Sequence, residues 1–246
     1  MTVPRDVTTN VEVLNGLMSE RFTCRAYRAE QVPEATIQGI LQLARNTASW
    51  CNVQPWQVVI TSGEATDLFR GALMDEARAH PEGEPDIPFP PGYHGIYKAR
   101  RQETGYQLYA ALGIAREDRE RRQEQSFENF RLFGAPHVAI VSVPAEIGPY
   151  AIADCGQFVG SFLLAARAYG VDTTPQAALA QHSAFIRGHF EIPETQRILC
   201  GISFGYADRE HPANSFRTRR AAADEIARLV GQEPVGEAES RVSEAG

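Results

Sequence analysis

The sequence has few of the side chains from which metal centres and disulfide frameworks are built. Its four cysteines, at positions 24, 51, 155 and 200, lie far apart, and no two of them form a CxxC pair. Its six histidines include no HExxH motif and no pair spaced four residues apart. Neither a zinc site nor a disulfide scaffold is indicated by this pattern, so we expect no bound metal.

Long apolar runs are also missing. No stretch approaches the roughly 20 apolar residues that a membrane-spanning helix needs, and residues 1–6 do not resemble the start of a signal peptide. We therefore expect a cytoplasmic protein that is not bound to a membrane. The net charge of −7, from 24 basic and 31 acidic residues, disfavours a general nucleic-acid binder.

A glycine-rich nucleotide loop is the third absence. The chain has no GxGxxG in a strand–helix setting and no GxxxxGK[ST]. If a nucleotide-like cofactor binds, other groups must hold its phosphate. With 246 residues, the chain is long enough for one large domain or two small ones.

What the sequence does contain is a distinctive loop at residues 48–56, Ala-Ser-Trp-Cys-Asn-Val-Gln-Pro-Trp, which carries both tryptophans of the chain. Its two amide side chains, Asn52 and Gln54, lie two residues apart, and Pro55 is expected to bias Gln54 toward an extended backbone. A loop between a rigid helix and a rigid strand is a good place to contact a ligand. The alternative is an ordinary helix–strand connection with Trp56 in the core.

Arginines cluster at two places that suit an anion. Arg21, Thr23 and Arg25 alternate, so in an extended segment they share one face, and two guanidiniums with a hydroxyl between them make an anion clamp. Near the C-terminus, residues 214–220 read Asn-Ser-Phe-Arg-Thr-Arg-Arg and follow a predicted strand and turn. The sequence does not choose between Arg217 and Arg219. Solvated surfaces or ion pairs are the alternative at both places.

Hydrophobic periodicity predicts a mixed α and β protein. The predicted helices are one capped by Asn10, one from Pro33 to near Asn46, one through Leu68 and Leu73, one over 98–132 and an apolar one over 149–169. The predicted strands are 57–60, 138–143, a short one from Val171 and one over 198–206. The helix at 149–169 is apolar nearly all the way round, which is typical of a domain centre or a dimer interface.

Residues 80–95 contain five prolines and three glycines, so they cannot form a helix or a central strand. One interpretation is a linker between two domains. The other is an ordered loop that carries aromatic side chains over a pocket, since long loops in compact domains are often lids or binding loops.

Taken in order, these landmarks resemble the nitroreductase family of flavoproteins. Residues 21–27 resemble its R-x-[ST]-x-R-x-[FY] opening, and residues 48–56 resemble its P-S-x-x-N-x-Q-P-W loop. Residues 174–177 look like its strand-end flavin contact, and residues 205–206 with 214–220 look like its C-terminal phosphate-binding arginines. The insert at 80–95, with Gly134-Ala135-Pro136, is similar to the branch of nitrobenzoate and related nitroaromatic reductases.

The resemblance implies an α+β fold with a mixed or antiparallel central sheet flanked by helices. It implies one domain over 1–246, with a lid at 80–97 and a flexible tail at 230–246, assembled as an intertwined homodimer with FMN at each of two subunit interfaces. The arginines would hold the phosphate, residues 175–177 would face the isoalloxazine, and the loop at 48–52 would come from the other subunit. The implied FMN contacts are Arg21, Phe22, Thr23, Arg25, Ala48, Ser49, Trp50, Asn52, Gln54, Gln107, Thr174, Pro175, Gln176, Ala177, Arg217 and Arg220.

The chemistry implied by the resemblance belongs to the cofactor. NAD(P)H would deliver hydride to the flavin and leave, and a nitroaromatic compound would then be reduced in its place to nitroso and hydroxylamino products, a ping-pong reaction that needs no catalytic side chain. The expected flat slot for the substrate is formed by Trp50, Phe89, Tyr93 and Tyr97, with Phe127 or Phe130 as alternatives.

Three departures from the family pattern stand out. Ala48 replaces the usual proline, Trp50 stands at a position that is usually small, and Phe22 replaces a second arginine in the opening, which leaves one basic contact fewer. Three other functions stay open at this point. They are the same flavin chemistry on a quinone, an enone or a free flavin, a non-catalytic FMN-binding protein, and a structural dimer without a cofactor.

Overall fold

The computed structural model describes residues 7–231, with only the backbone of Val7, and it contains one four-stranded sheet. The strands are β1 (Gln57–Ile60), β2 (His137–Pro144), β3 (Asp172–Gln176) and β4 (Gln196–Gly205). They lie in the order β1-β2-β4-β3, and each neighbouring pair is antiparallel. A parallel bridge between Thr23 and Thr173 places residues 21–27, which we call the opening segment, beside β3.

Eight α-helices surround this sheet within the described residues. They are α1 (Val7–Glu20), α2 (Glu34–Ala44), α3 (Glu64–Ala79), α4 (Gly95–Ala111), α5 (Arg119–Phe127), α6 (Pro149–Ala168), α7 (Ser183–His189) and α8 (Ala223–Ile226). Short 3₁₀ turns at 50–52, 132–134, 145–147, 177–182 and 212–214 connect several of them. None of the helices in the described part of the chain is long and apolar enough to cross a membrane.

Strand β2, one of the two inner strands, is buried on both faces because helices cover each side of the sheet. Its side chains alternate between these two layers. Ala139 and Val141 pack in a core with α2 and α6. Val138 and Ile140 belong to the core on the α3 and α7 side. A strand covered on both faces reads as a continuous apolar run, which is why this segment was predictable from sequence.

The long helix α6 is buried against α2, β3 and α1, but one of its faces is open. Its buried side chains include Phe158 and Phe162. The exposed positions recur at helical spacing and are mostly small: Tyr150, Ala153, Gly156, Gln157 and Gly160. The prediction of a helix buried on several sides is therefore confirmed, while this stripe stays free within one chain.

Most predicted elements are confirmed, and two predictions about helices are wrong. The first helix begins at Val7, so Asn10 lies inside it rather than capping it. The helix predicted over 98–132 is two helices, α4 and α5, separated at residues 112–118. Gly113 adopts a φ of +62° there, a left-handed conformation that ends a helix. The tail predicted at 230–246 lies, beyond residue 231, outside the described residues.

The proline-rich insert is tied to the body of the domain at its first half. Asp86 accepts a hydrogen bond from the backbone N–H of Ile198 at 2.8 Å and pairs with Arg187. The backbone N–H of Asp86 donates to the Ser183 hydroxyl at 3.1 Å, and that of Glu84 donates to a loop carbonyl at 2.7 Å. Residues 88–94 beyond these anchors are exposed. These contacts favour an ordered loop over a linker between two domains.

Candidate functional site

A cavity of about 290 Å³ lies where the opening segment meets the C-terminal segment, and we call it the arginine cavity. Four of its lining residues are arginines, several are hydroxyl residues, and none of the described lining residues is acidic. The lining residues are Met18, Ser19, Arg21, Phe22, Thr23, Arg25, Thr104, Phe216, Arg217, Thr218 and Arg220.

The opening segment is extended along β3, and this explains how its arginines reach one side. The backbone N–H of Cys24 donates to the carbonyl of Thr173 at 3.1 Å. Phe22, Cys24 and Ala26 are buried, whereas Arg21, Thr23 and Arg25 are half-buried and line the cavity. The predicted sharing of one face by Arg21, Thr23 and Arg25 is therefore seen in the structure.

Asn214 links the opening segment to the C-terminal segment beside this cavity. Its Oδ1 accepts the backbone N–H of Arg25 at 2.7 Å. Its Nδ2 donates to the carbonyls of Ala26 at 2.9 Å and Asp208 at 2.8 Å. The side chain is buried, so these three bonds fix the spacing between the opening segment and residues 214–220.

The guanidiniums in the cavity lack counter-ions among the described residues. Arg21 makes no side-chain hydrogen bond or ion pair there, and burial followed by the nearby charge of Arg220 lowers its pKa. Burial also lowers the pKa of Arg25, whose Nη1 reaches only the carbonyl of Thr23, at 3.4 Å. Like charges held together in a partly buried space, without a carboxylate, favour binding of an anion.

A second cavity of about 540 Å³ adjoins the first and shares Thr104, Thr218 and Arg220 with it. Gln107 lines this second cavity, and its buried Oε1 has no hydrogen-bond partner in the described part of the chain. Arg219 also lines it but is paired with Glu103 at 2.9 Å. Arg217 and Arg220, rather than Arg219, therefore line the arginine cavity.

The strand end at residues 174–177 is held by inward hydrogen bonds. Thr174 bonds to the Tyr27 hydroxyl at 2.7 Å. The Oε1 of Gln176 accepts from the Ser203 hydroxyl at 2.5 Å, and its Nε2 donates to the carbonyl of Asn129 at 2.8 Å. Both ends of the Gln176 amide are therefore used in hydrogen bonds inside the protein. Pro175 is half-buried and Ala177 is exposed, so these two are the residues of this turn that remain accessible to a ligand.

The tryptophan loop, residues 48–56, stands apart from both cavities and is mostly exposed from Ala48 to Gln54. The backbone N–H of Trp50 donates to Asp154 of α6 at 3.1 Å, and its ring meets Tyr150 edge-on at 4.2 Å. Trp56, by contrast, packs against the core beside α6. The loop therefore combines the two interpretations, with one tryptophan in the core and one presented outward.

The prediction of an extended Gln54 is wrong, because its φ is +52°. Its backbone N–H donates to the Ser49 hydroxyl at 2.9 Å, and its side-chain Nε2 donates to the carbonyl and Oδ1 of Asn52, both at 3.2 Å. Cys51 and Asn52 also have positive φ values, 50° and 58°. These local hydrogen bonds override the preference that Pro55 imposes.

The aromatic side chains predicted for a substrate slot fall into two groups. Phe89, Tyr93 and Tyr97 are 41%, 43% and 67% exposed and line neither of the two joined cavities. Phe127 and Phe130 belong to the hydrophobic core on the α3 and α7 side. The insert aromatics thus remain free to meet a ligand or another subunit, whereas the alternative pair is structural.

Sequence reasoning missed several residues of the cavity and its supports. Thr104 and Thr218 are hydroxyl residues without a recognisable motif. Asn214 was visible beside the arginines, but two of its three partners, Ala26 and Arg25, are 188 and 189 residues away in sequence. Asp172 also went unnoticed, although it is an acid within a predicted buried strand, and a buried acid is almost always paired.

Comparison with known proteins identifies the family of this chain. The description of the nitroreductase family matches residues 18–206, which include the opening segment, the tryptophan loop, the strand end and the whole sheet. The chain belongs to the nitroreductase family. Both the predicted family and the predicted α+β fold are confirmed.

Among relatives in the nitroreductase family is nitroreductase NfnB of Mycolicibacterium smegmatis, 35% identical over 230 residues that cover 93% of this chain and 97% of the relative. A 4-nitrobenzoate reductase of a Nocardioides species is 32% identical over 237 residues, 91% of this chain and 94% of that protein. The crystal structure of the FMN-dependent NfnB from Mycobacterium smegmatis with NADPH has a TM-score of 0.85 and covers 89% of this chain and 99% of its own, at 35% identity. An FMN- and NADPH-dependent NfnB from Sphigopyxis sp. strain HMH has a TM-score of 0.86 at 29% identity, with the same coverage.

Proposed function

We propose that this protein is an FMN-dependent oxidoreductase that takes hydride from NADPH or NADH and reduces nitroaromatic compounds to nitroso and hydroxylamino products. The observation that carries the proposal is the arginine cavity. It brings four guanidiniums and several hydroxyl groups together without a carboxylate among its described lining residues. Such a set suits a phosphate, because guanidiniums bind phosphate oxygens with paired, charge-assisted hydrogen bonds.

The residues present fit FMN in more than charge. Burial, and after it the charge of Arg220, lowers the pKa of Arg21. A phosphate dianion in the arginine cavity would offset both effects, because it supplies an opposite charge to the buried guanidinium. In the adjoining cavity, the buried Oε1 of Gln107 has no hydrogen-bond donor among residues 7–231 and would accept a hydrogen bond from a ribityl hydroxyl or a ring N–H. FMN supplies the hydride chemistry itself. The chain's residues bind and orient the cofactor, and we assign no proton transfer to a side chain.

The site requires a second subunit in this proposal. The exposed part of the tryptophan loop, at 48–54, lines neither the arginine cavity nor its neighbour in the same chain. The loop adjoins the N-terminal part of α6, whose exposed stripe of small residues would let a second helix approach closely. We therefore propose a homodimer in which the loop of one subunit completes the FMN site of the other. Sedimentation equilibrium should give twice the chain mass of 27.1 kDa.

The proposed substrate class rests on flat aromatic surfaces and on the relatives. Trp50 is 54% exposed and its ring is in edge-on contact with Tyr150. We propose that its exposed indole surface is available to a planar ring. Phe89 and Tyr93 of the insert and Tyr97 in the first turn of α4 are exposed as well, and we propose that they close over the same slot. Several relatives are named for the reduction of nitroaromatic compounds, including 4-nitrobenzoate, chloronitrobenzene and nitrobenzene.

The first experiment is the visible spectrum of the purified protein, recorded without oxygen before and after addition of NADPH or NADH. We expect a flavin spectrum that bleaches and then recovers when 4-nitrobenzoate is added. If the flavin spectrum recovers with a quinone or an enone but with no nitroaromatic compound, the proposed substrate class is wrong and the flavin chemistry stands. A flavin that neither nucleotide reduces would indicate a binding protein, and failure to bind FMN after reconstitution would refute the proposal.

A matched pair of arginine variants tests the phosphate subsite directly. Arg21→Gln removes an unpaired guanidinium from the cavity and should weaken FMN binding by roughly ten- to a hundred-fold, the effect of losing a charge-assisted bond. Arg28→Gln is the control, because Arg28 is exposed and paired with Glu30 at 3.3 Å. Fluorescence quenching of FMN during titration with apoprotein gives both affinities. Equal effects of the two changes would contradict the assignment of the cavity.

A further inference from the structure

Phe22 lies between two arginines at the edge of the arginine cavity. The guanidinium carbon of Arg217 is 3.9 Å from the centroid of its ring, and that of Arg209 is 5.1 Å away. The ring is buried, with 7% exposure. Both distances are within the range of a cation–π contact, in which a cation is attracted to the negative face of an aromatic ring.

The two arginines differ in their partners, and only one of them lines the cavity. Nη2 of Arg209 bonds to both carboxylate oxygens of Asp172 at 3.1 Å. Asp172 is buried and also pairs with Arg167 at 3.1 Å, so Arg209 is held away from the cavity, which it does not line. Arg217 has no acidic partner in the described part of the chain and does line the cavity.

Arg217 is oriented by three contacts that leave part of its guanidinium unused. Its Nη1 donates to the carbonyls of Asn214 and Phe216, both at 2.8 Å. Those bonds use the two hydrogens of Nη1, while Nε and Nη2 have no partner among residues 7–231. Three N–H donors therefore remain for an anion. The backbone bonds fix one nitrogen, and the Phe22 ring contacts the guanidinium carbon.

We propose that Phe22 is a positioning residue for the phosphate subsite, whose ring holds Arg217 with Nε and Nη2 available to the FMN phosphate. This inference rests on the proposed function and assigns a use to a buried aromatic side chain that lines the cavity. The Phe22 ring places a guanidinium that is distant in sequence. Its neighbour Arg209 belongs to the support, not to the binding site.

The test compares FMN with riboflavin, which lacks the phosphate, in titrations of the apoprotein. Phe22→Leu should weaken FMN binding by roughly three- to thirty-fold, the range that a cation–π contact supports, and should change riboflavin binding by less than about two-fold. Phe22→Tyr keeps the ring and should restore FMN binding to within about two-fold of the native protein. If Phe22→Leu fails to fold, Phe22→Met replaces it, because the flexible unbranched side chain of methionine fills irregular space more readily.

A double-mutant cycle separates positioning from direct contact. If Phe22 acts through Arg217, Phe22→Leu will have no further effect on FMN binding once Arg217→Gln is present. Additive effects, or equal losses of FMN and riboflavin, would overturn the inference and leave the phosphate subsite standing. If the native protein binds FMN no more tightly than riboflavin, the arginine cavity is not a phosphate subsite, and the proposed function fails with the inference.

Discussion

Replacing Asn214 by alanine should both destabilise the protein and weaken its cofactor binding, because this one side chain joins two segments that form the arginine cavity. It accepts the backbone N–H of Arg25 at 2.7 Å and donates to the carbonyls of Ala26 and Asp208 at 2.9 and 2.8 Å. Asn214 is 5% exposed, so water does not readily replace these bonds.

The three bonds are unequal in what their loss costs. The carbonyl of Ala26 keeps a second donor, the N–H of Asp208 at 3.0 Å, so losing Asn214 costs little there. The N–H of Arg25 has no other acceptor among the described residues, and an unsatisfied buried donor costs about 1–3 kcal/mol. Adding a modest cost at the Asp208 carbonyl, we expect a loss of about 2–4 kcal/mol in the free energy of unfolding. For a domain of this size, that corresponds to roughly 5–15 °C in Tm.

Urea unfolding, followed by circular dichroism, measures the stability, and titration with FMN measures the affinity. Asn46→Ala is the matched control, since the Asn46 side chain is exposed and makes a single hydrogen bond to a helix carbonyl at 3.2 Å. That change should cost less than about 0.5 kcal/mol. If Asn214→Ala costs no more than the control, or if it lowers stability while FMN affinity is unchanged, the reasoning that Asn214 sets the geometry of the cavity is refuted.

Two other predictions concern the core. Gly205→Ala should destabilise the protein by about 1–3 kcal/mol, because an added Cβ would lie 2.6 Å from the ring of Pro136. Gly71→Ala, in the open on α3, should instead be neutral or stabilising, and equal urea midpoints for the two variants would contradict the packing argument. The second prediction is that stability falls as the pH drops below 6.5. Burial lowers the pKa of His137 and of His182, so each imidazole binds a proton at a higher pH in the unfolded chain than in the folded protein. As the pH falls, each group can therefore lower the free energy of unfolding by at most about 1.4 kcal/mol per pH unit. His137→Gln should reduce the slope of the urea midpoint against pH between 7.5 and 5.5, and an unchanged slope would show that His137 does not titrate differently on folding.

The parts of the fold that were predictable from sequence are those in which local pattern and burial agree. The strand over 138–143 was predicted because both of its faces are covered, so every residue is apolar or small. The break between α4 and α5 was missed because the charged run around it is compatible with a helix, and a single glycine, Gly113, ends α4 by adopting a left-handed conformation. Helical periodicity gives no signal at such a residue.

The candidate site was predictable to a similar extent. The shared face of Arg21 and Arg25 follows from the alternation of side chains along an extended segment. The choice of Arg217 over Arg219 does not, because it depends on Glu103, which lies on α4, far from both arginines in sequence. Gln176 has an amide that suits a ligand, yet the structure assigns it to Ser203 and Asn129. Contacts between residues distant in sequence decide which polar groups are left for binding.

The tryptophan loop shows why such groups are hard to assign from sequence. Three non-glycine residues, Cys51, Asn52 and Gln54, have positive φ values, a conformation that costs about 1–3 kcal/mol each. The loop keeps it because Ser49 accepts the N–H of Gln54, and because the Gln54 amide bonds back to Asn52. The polar side chains that appeared suited to a flavin edge therefore hold the shape of the loop itself. The loop presents the ring of Trp50 outward, and the exposed residues Asn52 and Gln54 lie on the same strained backbone, so the whole fixed loop is the surface that a second subunit would meet in the proposed dimer.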